Sequence, residues 1–557
     1  MSVETTLLFI LACVAVVVAI RWVGARTGLP AAALLTLLGI VYALLPGKNI
    51  PLDPELILTF VLPPLLYNAA LDSSLIDIRR NLRTVISLSV ALVLVSALLI
   101  GLGFSLFVSG ATLAAGVALG AAVAPPDPVA ALAIGKKVGL PRNLVTLIQG
   151  EGLLNDATAL TILSVAVAAA VGDGFSYWSA AGEFILVAAG GVVVGIIVAY
   201  AIRALRPVMR DPLIANAISL ATPFVAYLFA EEVHVSGVLA VVVAGLIVGH
   251  DAPRLATGAS RLQTSAVWRL VDFLLEGLVF LLIGQQLPTV VKNLEDYSIA
   301  TVVTATAISV GVVLLLRPLW LLLTQMLPRS LHTRLGGEAD GEDAPTKSAG
   351  DIRRERALGG KEIIALTWSG TRGVISLAAI FTLPTVTESG APFPDRDLLL
   401  FCTFAVVLVT LVGQGLTFAP LVRALGLHAN ENDQARLRNE ARSASAEAAI
   451  AALDELEAQE HDDIHAHMID TMRGQLRTRL TRYRGRIASL RDSAAADLPV
   501  SPRYEAALHV RRVAIDAQRE ELLRWRDAGR LPDEGLRVLE RELDHEEGLL
   551  PDRPTKR

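Results

Sequence analysis

The stretch Ala124-Pro125-Pro126-Asp127-Pro128 interrupts a long apolar segment that runs over residues 111–135. A second apolar segment, 143–171, carries Glu151-Gly152-Leu153-Leu154-Asn155-Asp156 in its first half. Ionisable residues are costly inside a membrane helix and usually mark an ion pathway or a proton relay. Prolines interrupt a helix and leave backbone carbonyls free to line a cavity. The two stretches therefore predict a membrane protein with a cation site beside a broken helix.

The composition is that of a membrane protein with a soluble extension. The chain has 557 residues, of which 53% are hydrophobic and 18% charged, and its mean hydropathy is +0.55. The two cysteines, Cys13 and Cys402, lie in separate apolar segments and offer no disulfide framework or metal motif. We expect both thiols to be buried. No basic residue precedes the first apolar run, which we interpret as a retained helix.

Hydropathy predicts an all-α polytopic fold, since about 20 apolar residues suffice to cross a bilayer. Lysine and arginine concentrate in the loops after odd-numbered spans, for example 72–83 and 136–142, and are sparse in the intervening loops. By the positive-inside rule, this asymmetry predicts an N-terminus outside the cell and a cytoplasmic C-terminal tail. The thirteen predicted spans lie near residues 5–23, 29–45, 54–71, 84–108, 111–135, 143–171, 179–203, 213–230, 234–250, 267–288, 298–326, 361–385 and 397–420.

Hydropathy falls sharply after the last span and divides the chain into a transmembrane domain, 1–427, and a cytoplasmic helical tail, 428–557. The tail mixes both charge signs, as a solvated helical domain does. It has no zinc spacing, nucleotide loop or basic block, which leaves a tail that packs on itself or on a dimer mate, or a regulatory domain. The polar, glycine-rich loop 327–360 predicts a flexible linker. Prolines predict breaks within the tail at Pro499, Pro502 and Pro532.

Helical geometry sorts the polar residues of the segment 143–171. Gly152 and Asp156 are four positions apart and share a face. Glu151 and Asp156 point about 140° apart, because successive residues turn by about 100°. We therefore expect these two carboxylates to address different neighbours.

A buried carboxylate needs a cation, a proton or strong hydrogen bonds. Arg372 lies in a second interrupted segment, Trp368-Ser369-Gly370-Thr371-Arg372-Gly373, and offers one such partner. We assign Glu151 to Arg372 as a structural ion pair near the site, which leaves Asp127 and Asp156 for a transported ion. The alternative is that all these groups pair with one another as packing groups.

Three further polar residues fall inside or at the ends of predicted spans. Glu276 lies near the middle of its span and is either a satisfied structural group or a supporting residue of the site. Arg317 lies towards the cytoplasmic end of its span, where we expect it to snorkel to the interface; a role in transport is the alternative. His234 fits an interfacial residue better than a pH sensor.

Several short motifs resemble, in sequence and in order, the sodium/proton exchanger branch of the monovalent cation/proton antiporter superfamily. The resemblance covers about residues 5–425, and its Asn155-Asp156 pair with an upstream Asp-Pro is specific. It implies a bacterial plasma-membrane secondary antiporter and not an enzyme, built from two inverted repeats that each contain a broken helix, and assembled as a homodimer. The motifs are Leu62–Leu66, Asp127–Ala130, Glu151–Thr158, Ala226–Glu231, Val235–Val238, Val279–Gly284 and Trp368–Leu377.

The resemblance also implies roles for the site residues. Asp127 and Asp156 would bind Na+, Asn155 would support them, and Pro126 and Gly152 would offer only backbone atoms. Members with Asn before the second aspartate tend to exchange ions electroneutrally. The resemblance to this family also implies a role in pH and sodium homeostasis.

Three positions depart from the family pattern. Asn68 stands where many relatives carry an acidic residue, Gly152 where a serine often supplies a hydroxyl ligand, and Pro126 where threonine is frequent. Because one hydroxyl ligand is lost, Li+ and K+ remain alternatives to Na+.

Other functional classes are less compatible with the sequence. Intramembrane aspartyl proteases also use two membrane aspartates, but neither Asp127 nor Asp156 lies in a Tyr-Asp or Gly-x-Gly-Asp motif. A cation channel fits proline-broken helices with compact carboxylates less well than an occluding transporter does, and a transport-deficient membrane sensor is the remaining alternative. We expect no cofactor and no nucleic-acid partner, and a chain that interacts with the bilayer, monovalent cations and protons.

Overall fold

A computed structural model describes most of the chain. The acidic part of the loop 327–360 and the tail residues Pro499 and Pro532 lie outside the described residues. The structure describes residues 3–27, 31–44, 57–128, 131–132, 135, 138–171, 177–205, 211–255, 258–326, 334–335, 356–387, 390–427, 431–459, 463–492, 502–528, 530–531 and 533–548.

The chain forms two compact units, Met1–Ala429 and Asn430–Arg557. The first unit is mainly helical; its described residues also include one short antiparallel ladder, which pairs Arg334–Leu335 with Arg356–Ala357, and an isolated bridge between Val386 and Pro392. Its α-helices are Val3–Thr27, Ala31–Leu44, Leu62–Leu71, Leu75–Arg80, Leu82–Ile86, Leu92–Phe107, Leu113–Val123, Arg142–Val171, Tyr177–Ala204, Pro212–Glu232, Gly237–Leu255, Gly258–Lys292, Ile299–Met326, Gly360–Trp368, Val374–Phe381, Arg396–Leu408 and Gly415–Leu425. Within the described residues, π-helical turns at Ile57–Val61, Ser87–Ala91 and Val409–Gln414 interrupt or precede these helices.

The all-α polytopic fold predicted from the sequence is confirmed. Every predicted span overlaps a helix, and within the described residues six helices are long and apolar enough to cross a membrane. Large apolar side chains are largely exposed on these helices, such as Leu106 at 73% and Leu315 at 70%. Such surfaces suit contact with lipid rather than water. The number of crossings, thirteen, stays a prediction.

Local sequence determines where the helices near the site begin. The side chain of Thr112 accepts a hydrogen bond from the amide of Ala115 at 3.2 Å and so caps the helix Leu113–Val123. The same helix ends where Pro125 and Pro126 withdraw backbone donors. Helical residues resume at Pro128, a position where a missing N–H is tolerated. We call this interrupted stretch, from Leu113 to Pro128, the first broken segment.

The second broken segment consists of Gly360–Trp368 and Val374–Phe381. Both broken segments lie against Arg142–Val171, which we call the central helix. Small residues allow close packing here: a Cβ on Gly116 would lie 2.9 Å from the Cα of Gly101 in the neighbouring helix. Close approach of this kind is how membrane helices gain packing energy without a hydrophobic driving force.

The part of the second unit that the structure describes forms four helices, of which the first two pack against each other and the last two likewise. Ion pairs occur on both hairpins, for example between Arg473 and Asp454 and between Arg519 and Glu547. Pro502 stands at the start of a helix, as predicted for a break. The helices are Glu431–Gln459, Asp463–Asp492, Pro502–Asp527 and Asp533–Gly548.

Candidate cation site

The two broken segments meet at their non-helical residues. The amide of Asp127 donates to the carbonyl of Thr371 at 2.6 Å. In return, the hydroxyl of Thr371 donates to the carbonyl of Asp127 at 3.0 Å. Backbone groups that lack helical partners must be satisfied elsewhere in a membrane protein. These reciprocal bonds therefore tie the two segments into one crossing.

Arg372 supplies the positive charge of the crossing. Its Nε donates to the carbonyl of Val123 at 2.9 Å and its Nη2 to that of Ala124 at 3.0 Å, while Nη1 donates to the carbonyl of Gly370. The carbonyls at a helix C-terminus carry partial negative charge and lack intrahelical donors. Arg372 thus caps the C-terminal end of the helix Leu113–Val123 and also binds the carbonyl of Gly370, just beyond the helix Gly360–Trp368.

The carboxylate of Asp127 lies at the opposite kind of helix end. Gly373 precedes the helix Val374–Phe381, and a Cβ on Gly373 would lie 2.6 Å from Asp127 Cγ. The N-terminus of a helix favours negative charge because its amides point outward. The fold therefore supports an anionic Asp127 at this position, provided that residue 373 has no side chain.

We predict that Gly373→Ala lowers exchange about tenfold, since overpacking costs about 1–3 kcal/mol and here pushes Asp127 out of position. Gly311→Ala is the matched control, because a Cβ there meets no atom within 4 Å. Proteoliposome exchange rates of the two variants check the prediction. Equal rates for both variants would contradict it.

Asp156 and Asn155 lie on the central helix beside the crossing. They are 3% and 0% exposed, respectively. The Nδ2 of Asn155 donates to the carbonyl of Pro126 at 2.9 Å, which fixes the amide orientation. Asn155 Oδ1 and Asp156 Oδ2 have no hydrogen-bond partner in the described part of the chain. Asp156 is also close enough to Asp127 for the two charges to repel.

Close packing against Pro128 explains why residue 152 is a glycine. A Cβ there would overlap the ring of Pro128, 2.7 Å from Cδ and 3.0 Å from Cβ. The space that a serine side chain would occupy is filled by the proline that follows Asp127. The first broken segment therefore packs directly on the central helix.

The predicted ion pair between Glu151 and Arg372 is wrong. Glu151 binds Arg317 instead, through both carboxylate oxygens, with one of these bonds at 2.8 Å. The prediction that Arg317 snorkels is also wrong, because its residue is only 3% exposed. Arg372 is close enough for its charge to interact with Glu151, but its hydrogen bonds go to carbonyls. Positions along the sequence do not indicate which of the two arginines, Arg317 or Arg372, lies closer to Glu151.

Two π-helical turns bring hydroxyl groups to the same region. Ser89 donates to the carbonyl of Glu151 at 3.1 Å, and Thr410 accepts from the amide of Arg372 at 3.0 Å. Single π turns often occur at functional sites. Neither residue was predicted from the sequence, and Thr371 was not predicted either. Only Thr371 had a signal, since it lies inside the quoted interrupted motif.

The remaining candidates are distributed around the site. Asn68 donates its amide hydrogen to Asp272. Glu276 lines a small cavity of about 20 Å³ together with Arg21. His234 is exposed in the turn after the helix Pro212–Glu232, with a φ of +57°. Cys13 and Cys402 are buried, as expected.

A polytopic helical protein whose two interrupted helices cross beside buried carboxylates has the architecture of a secondary ion transporter. The comparisons with known proteins identify the family. Residues 10–424 match the family model described as "Sodium/hydrogen exchanger, transmembrane". The chain belongs to this family of secondary transporters, which confirms the resemblance drawn from the motifs. It is a bacterial multi-pass membrane protein and a cation/proton antiporter.

Individual relatives agree with this assignment. The chain is 32% identical to an uncharacterized Na(+)/H(+) exchanger of Mycobacterium tuberculosis, over 98% of this chain and 96% of the relative. It is also 32% identical to a sodium, potassium, lithium and rubidium/H(+) antiporter of Bacillus pumilus, over 67% and 55% of the two chains. The fold resembles that of the sodium proton antiporter MjNhaP1 of Methanocaldococcus jannaschii, with a TM-score of 0.59, 19% identity, and coverage of 76% and 99%.

Proposed function

We propose that this chain exchanges Na+ for H+ across the bacterial plasma membrane, with Asp127, Asp156 and Asn155 as the shared binding site. The observation that carries the proposal is the unsatisfied oxygen set at the crossing. Asp156 Oδ2 and Asn155 Oδ1 are buried without a hydrogen-bond partner in the described residues, next to a second carboxylate. Hard monovalent cations favour such oxygen ligands.

The proposed mechanism is competition of two ions for one site. Two like-charged carboxylates in a low-dielectric site are not stable when both are ionised and empty. A proton relieves this repulsion, and so does a dehydrated Na+ that coordinates both groups. Because each ion displaces the other, exchange is coupled without simultaneous binding.

In this proposal, the site at the crossing changes its access from one membrane face to the other only when it holds Na+ or a proton. The hydrogen bonds that join Asp127 to Thr371 and Arg372 to Val123 keep both broken segments together during that movement. Alternating access in this class is largely a rigid-body motion of one helical bundle against the other. An empty, doubly charged site would carry an uncompensated charge through the protein, which disfavours leakage.

We further propose that exchange is electroneutral and contributes to pH and sodium homeostasis. The residue before Asp156 is the neutral Asn155. If one Na+ replaces one proton, the loaded site has the same charge when it carries Na+ in one direction and H+ in the other. Imposed membrane potential would then leave the exchange rate unchanged.

The ion preference is open to a direct comparison. The name of the Bacillus pumilus relative includes sodium, potassium, lithium and rubidium. In this chain the Gly152 position has no hydroxyl to offer, and the ring of Pro128 fills its place. We propose Na+ as the preferred substrate, with Li+ and K+ as alternatives. We also propose that the N-terminus lies outside the cell and the C-terminal tail in the cytoplasm. We also propose a homodimer.

Purified protein in liposomes tests the proposal. A pH-sensitive dye inside the vesicles reports proton movement after addition of Na+, Li+ or K+, and a voltage-sensitive dye reports net charge transfer. Antiport requires that proton efflux depend on the cation. Cation flux without proton movement would indicate a channel, and no flux of either ion would indicate a transport-deficient sensor.

Deletion of residues 428–557 should leave a transport-competent membrane domain. Every candidate ligand lies in the first compact unit, and separate domains generally retain their own cores, so we expect the maximal rate to stay within about twofold. Exchange against pH at matched reconstitution density is the measurement. A shifted profile would indicate regulation by the tail. A truncated protein that is folded but inert at every pH would contradict the prediction.

A further inference from the structure

Asp272 is a carboxylate inside a predicted membrane span, and no motif singled it out. It lies in the helix Gly258–Lys292, within the predicted span 267–288. Its Oδ2 accepts a hydrogen bond from Asn68. Its Oδ1 is enclosed by protein and has no hydrogen-bond partner among the described residues. An oxygen in this situation is stable with a proton or a cation on it.

Asn68 connects this carboxylate to a cavity. The cavity measures about 200 Å³ and is bordered by Asn68, Asp72, Arg261 and Trp268. Its walls come from the ends of helices that adjoin loops with basic residues, the ends predicted to face the cytoplasm. None of the residues that form the crossing contributes to these walls. The cavity is therefore distinct from the site at the crossing.

Negative charges continue from the cavity towards the crossing. Asp72 is close enough for its charge to act on Asp272. Asp272 and Glu276 are one helical turn apart on the same face. Glu276 in turn interacts electrostatically with Asp127 and with Arg21. Successive carboxylates thus lead from the cavity to the candidate cation site, with Arg261 and Arg21 as the basic groups along that route.

We propose that Asp272, held by Asn68, is a transient cation-binding residue between this cavity and the Asp127–Asp156 site. The inference rests on the proposed antiport and adds a residue to its ion path. The ligand is a partly hydrated monovalent cation. Asp272 Oδ1 is one oxygen ligand for it. The amide nitrogen of Asn68 is committed to Asp272, which leaves the amide oxygen of Asn68 as a second ligand.

The first test is the Na+ dependence of exchange for Asp272→Asn in proteoliposomes. We expect the KM for Na+ to rise about tenfold with a maximal rate within about twofold of the original, because the residue binds the ion before the crossing step. Asp251→Asn is the control, since Asp251 pairs with the exposed Arg203 on another helix. Its KM should be unchanged. Thermal unfolding of each variant in detergent accompanies the kinetics.

The decisive variant exchanges the two side chains, Asn68→Asp with Asp272→Asn. It keeps one carboxylate and one amide across the same hydrogen bond, and we expect it to restore the KM to within about threefold. A purely structural Asp272 would lower the unfolding temperature without raising the KM, and that result would overturn the inference.

Other outcomes also discriminate. If Asp272→Asn does not fold, the exchanged variant and Asp272→Glu take its place, because both retain a carboxylate. A folded exchanged variant whose KM for Na+ is raised tenfold would overturn the inference. An active wild-type protein with an unchanged KM in Asp272→Asn would overturn this inference alone. An inactive wild-type protein would overturn the proposed function as well.

Discussion

Asp156→Asn is expected to abolish cation/proton exchange while leaving a folded, membrane-inserted protein. Asp156 is buried beside Asp127, and its Oδ2 has no hydrogen-bond partner in the described part of the chain. An asparagine keeps the shape but does not release a proton or supply a negative charge to a cation. Dye-monitored exchange should fall to the background of protein-free liposomes. Asp127→Asn should behave in the same way.

Stability distinguishes loss of function from loss of fold. Asp156 is buried, and its Oδ2 has no hydrogen-bond partner among the described residues, so a neutral side chain of the same shape loses no hydrogen bond at that oxygen and leaves no charge buried. The unfolding temperature of Asp156→Asn should therefore equal or exceed that of the original protein. Asp296→Asn, in an exposed loop, is the control with unchanged exchange. Exchange at the original rate in Asp156→Asn would remove this carboxylate from the mechanism.

The sequence was sufficient to predict the polytopic helical fold and the family. The fold follows from apolar run length and proline interruptions, and the family from the resemblance of short motifs such as Asn155-Asp156 with an upstream Asp-Pro. All of these features are local in sequence. The same holds for the break after Val123, where Pro125 and Pro126 follow directly. Such signals need no knowledge of which helices touch.

Pairing between distant helices was not predictable in the same way. Two buried arginines, Arg317 and Arg372, were available to Glu151, and their order along the chain carries no information about distance. Arg372 satisfies helix-end carbonyls that exist only because both segments are broken at the crossing. Asp272 was overlooked for a related reason, since its significance comes from Asn68, 204 positions away.

Glu151→Gln and Arg317→Ala are expected to be the most destabilising substitutions near the site. Removing one member of a buried ion pair costs about 3–5 kcal/mol, because the other charge is left uncompensated. Arg317 Nε also donates to the carbonyl of Leu366 at 2.9 Å. The arginine thereby joins its own helix, the central helix and the second broken segment. The unfolding temperature in detergent, followed by tryptophan fluorescence, is the measurement.

Arg203→Ala provides the matched control, because the side chain of Arg203 is 59% exposed in its pair with Asp251. Exposed pairs contribute about 0–1 kcal/mol, so the unfolding temperature should hardly change. Replacing both partners, Glu151→Leu with Arg317→Met, should recover much of the lost stability, since no unpaired charge then remains. If Arg317→Ala is as stable as the control while Arg372→Ala unfolds at lower temperature, Arg372 would be the structural partner of Glu151 after all. If Glu151→Gln keeps its stability and changes only the Na+ affinity, Glu151 would instead belong to the cation site.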